Sequence, residues 1–92
     1  MENGRPRFEL GSLNATPGLL AAVAHDEIMN ALSRHVRGDW GELSERDKAA
    51  NERALKDEAR ILSAYVSRDG TKFWIITEGD RSYTTVLLPS EY

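Results

Sequence analysis

The chain has 92 residues, 40% hydrophobic and 29% charged, with 12 Lys and Arg against 15 Asp and Glu for a formal net charge of -3, and no cysteine. That length holds one domain with one core, residues 1–92, of ordinary globular composition. No apolar run approaches the roughly 20 residues of a membrane-spanning helix, the lack of cysteine removes thiolate metal sites, disulfides and cysteine nucleophiles, and the interspersed charge argues against a dedicated nucleic-acid or anionic-membrane binder.

Residues 1–7 are polar and aperiodic and read as a loose leader with no apolar signal segment. Together with the missing cysteines, this points to a cytoplasmic location. Phe8–Leu13 reads as a short first strand, weakened by Gly11 in its interior. Thr16-Pro17 is a helix start, with threonine as N-cap and proline where its missing N–H costs nothing, and Leu19, Leu20 and Val23 follow as an apolar stripe. A second start at Asp26 carries Ile28, Met29, Leu32, His35 and Val36 at helical spacing, and Gly38 ends it; one bent helix and two separate ones both fit. Ser44 opens a third helix to about Glu58 with a near form of the capping box, Asp47 standing at the third position, and Ala50, Ala54 and Leu55 give it a narrow apolar stripe. Asn51 lies beside that stripe and reads as a half-exposed amide, a buried link being the alternative.

The C-terminal third reads as three strands. Asp69-Gly70 between Leu62–Val66 and Phe73–Thr77 suits a two-residue type I′ turn, which would pair Val66 with Phe73, Ala64 with Ile75 and Tyr65 with Trp74. A second reversal at Gly79–Ser82, closed by Glu78 opposite Tyr83, sets Ile75 beside Val86 and Trp74 beside Leu87. These registers put Leu62, Ala64, Val66, Phe73, Ile75, Val86 and Leu88 on a core face. They put Tyr65, Trp74, Ile76, Tyr83 and Leu87 on a mixed opposite face. The expected fold is α+β: helices from residues 16 to 58 packed on one face of an antiparallel sheet of three to four strands, a C-terminal meander plus the short N-terminal strand, which needs a free edge whose identity stays open, the one beside the last strand being preferred.

Two places carry candidate chemistry. The mixed face is the candidate partner-binding surface, through Tyr65, Trp74, Ile76, Tyr83 and Leu87, because so much aromatic area exceeds what a monomer usually exposes. The segment Pro89–Tyr92, the leader or a partner would cover it, and a second copy of the chain is the simplest partner. The loop after the second helix gathers His35, Arg37, Asp39 and Trp40, the residue types of a small ligand-binding or hydrolytic site. The competing structural reading makes His35 a helix-end histidine and Trp40 a plug under the loop. No cofactor fingerprint or serine elbow occurs, and His25 and His35 stand too far apart, with no third ligand, to hold a metal.

The segments Ala15–Gly18, His35–Gly41, Asp47–Asn51, Leu62–Tyr65, Lys72–Glu78, Asp80–Ser82 and Thr84–Tyr92 together resemble a group of small bacterial proteins, sometimes labelled plasmid-related or as subunit M of a type I restriction endonuclease. The resemblance spans residues 9–92 and implies an association with mobile elements. It does not bring a methyltransferase, since 92 residues cannot hold that domain and no glycine-rich cofactor loop follows a strand. The expected function is a non-catalytic interaction or regulatory module that binds protein, or itself, through the mixed face. Single-stranded nucleic-acid binding by base stacking on that face is the alternative, and a site at residues 35–41 the second.

Overall fold

The computed structural model describes residues 5–92, so the first four residues of the expected leader lie outside the described residues. The order is β1 (Ser12–Ala15), α1 (Pro17–Ala22), α2 (His25–Val36), α3 (Glu45–Asp57), β2 (Ile61–Val66), β3 (Lys72–Thr77) and β4 (Tyr83–Leu87), followed by a single 3₁₀ turn at Pro89–Glu91. The strands form one sheet in the order β1-β4-β3-β2, an α+β fold. The first strand takes the edge beside the last, of the two left open, and runs parallel to it and not antiparallel, Leu13 beside Thr84. It also starts later than Phe8. The chain turns at Gly11, and Phe8 instead packs on Trp40 and His35. Arg7 is not loose: its guanidinium forks onto Glu52 at 2.8 and 3.1 Å.

The helix starts follow local chemistry. Thr16 Oγ1 accepts from the Leu19 N–H, and Ser44 Oγ accepts from the Asp47 N–H, so both predicted N-caps are in place. Val23 and Ala24 are extended, which makes α1 and α2 two helices. Leu19, Val23, Ile28, Ala31 and Leu32 then bury against Tyr65, Phe73, Ile75 and Val86, while Trp40, Ala54 and Ile61 form a smaller cluster with Phe8, Leu43 and Leu55.

The β3–β4 register is the expected one, with Ile75 beside Val86 and Trp74 beside Leu87. The β2–β3 register is not. Tyr65 pairs with Phe73, Ala64 with Trp74 and Val66 with Lys72, one residue off the type I′ alignment. The turn is a three-residue loop, Arg68-Asp69-Gly70. The Gly70 N–H reaches Ser67 O, the Ser67 N–H reaches Thr71 O, and Gly70 takes φ 89°, the left-handed position that follows a type I turn in such loops. Asp69 completes it by accepting from the Thr71 N–H and hydroxyl and from Ser67 Oγ. The slip exchanges the two faces of β2 alone. Ile61, Ser63 and Tyr65 turn under the helices; Leu62, Ala64 and Val66 turn outward.

The free edge of β2 is closed by other parts of the chain. Asn51 Nδ2 donates to Leu62 O at 2.8 Å and its Oδ1 accepts from the Leu62 N–H, so the amide is the buried link and not a half-exposed group. Beyond it, Ala64 O accepts from the Glu42 N–H and the Ala64 N–H donates to Trp40 O. Gly41 makes that approach possible. Its φ is 76°, and a Cβ there would stand 2.0 Å from Ala64 O.

Candidate functional site

His35 is fully buried at the centre of the helix-covered side. Its Nδ1 lies 2.6 Å from Ser63 Oγ and its Nε2 2.9 Å from Thr77 Oγ1; Thr77 Oγ1 lies 2.8 Å from Thr84 Oγ1, which donates to Leu10 O at 2.7 Å. The last bond sets the directions as far as Nε2, and the neutrality of the ring sets the one at Nδ1. Thr84 spends its hydrogen on the carbonyl, so Thr77 donates to Thr84, the imidazole donates from Nε2 to Thr77, and Nδ1 accepts from Ser63. Nδ1 can accept there only because the ring is neutral. Burial pushes the His35 pKa down from 6.5 to about 3, helped by the positive charge of Arg81.

A serine hydroxyl at 2.6 Å from a histidine nitrogen is the geometry of a nucleophile and its base. Here both groups are completely inaccessible, so the pair is a polar link inside a core. The structure brings His35 and Trp40 together, ring centroids 6.0 Å apart, and separates them from the charged members of the loop. Trp40 is a buried plug whose Nε1 donates to Glu52, itself held below the usual carboxylate range chiefly by its bond to Arg7. Arg37 is exposed and folds back on Ser33 O. Asp39 forks onto Arg34, not onto His35, and that bond holds its carboxyl below the usual range.

The five aromatic and aliphatic residues of the mixed face divide. Tyr65 lies on the helix side, 2% exposed, its hydroxyl donating to Asp39 O at 2.7 Å and its pKa pushed up to about 12 by burial. Trp74, Ile76, Tyr83 and Leu87 do share the outer face. Ile76 and Leu87 are buried there, and Tyr92, tied by its hydroxyl to Arg60, sets its ring edge-on to Trp74 at 5.7 Å. Glu91 accepts from the Thr16 hydroxyl and the Leu88 N–H, which locks the final turn onto the start of α1. Trp74 remains half-buried and Tyr83 exposed.

Between Trp74 and the segment 42–47 the outer face opens into a groove of about 710 Å³. Leu62, Ala64 and Val66 line it from β2, with Trp74 and Pro89 beyond them and Glu42, Leu43 and Asp47 on the side of α3. Lys72 stands at the hairpin end, opposite Val66. A second cleft of about 380 Å³, between α2 and the β2–β3 hairpin, holds Asp26, Glu27, Arg34 and Arg68. Its charges are already satisfied within the chain, Arg68 on Asp26 and Glu27 and Arg34 on Asp39. Among the described residues, no group of three metal-ligating side chains converges, and no helix is long and apolar enough to cross a membrane.

Sequence reasoning missed six of the groove residues: Glu42, Leu43, Asp47, Leu62, Ala64 and Val66. The signal was the Ser67-x-Asp69-Gly70-Thr71 cluster of side-chain acceptors and donors, which favours the three-residue loop and turns the even-numbered residues of β2 outward. No family, curated protein or solved structure matches the chain.

Proposed function

We propose that the protein is a non-catalytic cytoplasmic interaction module that binds another protein across the outer face of the sheet, with Trp74 and the groove beside it as the contact. The observation that carries this reading is the asymmetry of the sheet. Of the residues that the sequence gathers at 35–41, His35 and Trp40 are sealed in the core, Asp39 is ion-paired with Arg34 and Arg37 folds back on Ser33 O, whereas the groove of about 710 Å³ is apolar along its β2 floor and bordered by a half-buried tryptophan. Protein-contact surfaces favour such an aromatic anchor. Base stacking on this face is the weaker reading, since it relies on three aromatics and Tyr65 lies on the other side.

A photo-crosslinking side chain at position 66, on the groove floor, tests the proposal against one at position 53 on the exposed surface of α3. Protein adducts are expected from position 66, and Trp74→Ser is expected to abolish them while leaving the fold intact. Adducts equally frequent from both positions, or none from position 66, would sink it.

A further inference from the structure

Resting on that reading of the groove, we infer that its occupant is a basic, aliphatic peptide segment: an apolar side chain seated over Ala64, with a Lys or Arg beside it facing Glu42 and Asp47. The floor sets the first half. Ala64 stands between Leu62 and Val66 and across from Trp74, so the smallest side chain of the floor sits among three large ones and leaves room for one side chain from outside. The backbone cannot supply the contact. Leu62 and Ala64 have their edge-side N–H and C=O groups taken by Asn51, Trp40 and Glu42, which bars a partner from adding a strand there and leaves recognition to side chains.

Charge sets the second half. Glu42 and Asp47 both line the α3 side of the groove, and neither is ion-paired among the described residues, although six ion pairs form elsewhere. The neighbouring Glu45 is already engaged by Lys48 at 3.7 Å. Two carboxylates outside the ion pairs of the described residues, on one wall of an apolar trough, complement a cationic residue next to an aliphatic one, and Glu42 already adds, behind Asp39, to the field that holds Arg34 charged. Lys72 faces the hairpin end and is placed to meet an acidic group at only that end of the segment.

The test is an NMR titration of the intact chain with two blocked pentapeptides, Leu-Lys-Leu-Lys-Leu and Leu-Glu-Leu-Glu-Leu. The lysine peptide is expected to shift the Ala64 and Val66 amides and the Trp74 indole, and to bind about tenfold more tightly than the glutamate peptide, as two exposed charge pairs allow. Glu42→Gln with Asp47→Asn, both at exposed positions, should bring the two affinities together, as should about 0.5 M salt. Ala64→Phe, which fills the trough, should remove both. Equal affinities, with shifts confined to the groove, would overturn the charge assignment and leave the interaction surface standing. Preference for the lysine peptide that survives in Ala64→Phe would overturn the location. Crosslinks from position 66 with no shift from either peptide would also overturn this inference and not the proposed function, whereas absence of both would remove the two together.

Discussion

Under the helices, the sheet carries Ile61, Ser63, Tyr65, Phe73, Ile75, Thr77, Thr84 and Val86, and every buried polar side-chain atom among them has a partner; on the opposite face Leu62, Ala64, Val66 and Trp74 are also apolar but only partly covered, Trp74 by the turn after β4. The difference is one of closure and not of hydrophobicity. The first face admits a histidine and three hydroxyls because they bond to each other, which spares the cost of desolvating any of them alone. The second admits a tryptophan without such a network because part of it keeps access to solvent.

Substitutions should therefore fall on a steep gradient across the sheet. His35→Ala removes the hub of the buried chain, strands the Ser63 hydroxyl, takes from Thr77 the donor that its oxygen accepts and opens a cavity, and should cost about 3–5 kcal/mol in urea unfolding. A loss below about 1 kcal/mol would mean that the network contributes little. On the outer face Trp74→Ser should cost less than that while eliminating binding.

Acid should expose the same contrast. The unfolded chain takes up a proton on His35 near pH 6.5, whereas the folded chain resists it down to about pH 3, so the unfolded state binds more protons between these values and stability falls as pH falls through that window. The loss attributable to His35 is about 2 kcal/mol at pH 5 relative to neutral pH. His35→Gln should flatten that slope between pH 6.5 and 5. A slope unchanged in the variant would assign the acid sensitivity elsewhere, and Asp39 and Glu52, whose pKa values are lowered by their arginine partners, add to it only in the carboxylate range.

The smallest of these structural effects belongs to the edge between the faces. Asn51→Ala leaves the Leu62 N–H and C=O without their partner and should cost about 1–3 kcal/mol. It should also speed hydrogen exchange at Leu62, with Ala64 less affected because its bonds run to Trp40 and Glu42. Exchange rising equally along β2 and β3 would show instead that the amide supports the whole hairpin.

Much of this architecture is local and is written in the chain. Thr16-Pro17 and Ser44 cap helices because a side-chain oxygen one turn from an N–H needs no distant partner, and the β3–β4 register follows from a strong alternation at Phe73, Ile75, Val86 and Leu88. That β1 takes an edge was legible, since an N-terminal strand beside a meander has only the β2 and β4 edges open to it, but the choice of β4 was not. Its parallel sense depends on where the helices carry the chain.

The candidate surface was half legible, Trp74 being placed correctly and Tyr65 not. The reason lies in β2, where Ile61, Ser63 and Tyr65 alternate with Leu62, Ala64 and Val66. Both sets are apolar enough for a core, so the pattern alone leaves the register nearly degenerate. Tertiary structure resolved it through contacts distant in sequence. Ser63 meets His35 from α2, Tyr65 reaches Asp39 O beyond that helix, and Asn51 from α3 grips Leu62, each of which is possible in one register only. The sequence by itself thus determined the three helical segments and the three C-terminal strands, the caps of α1 and α3 and one strand pairing, because those depend on neighbours a few residues away, while the uncapped start of α2 at His25 and the later start of β1 at Ser12 were not read from it. Only the folded chain decided which side of β2 faces water, because that choice rests on hydrogen bonds between groups 11 to 28 residues apart.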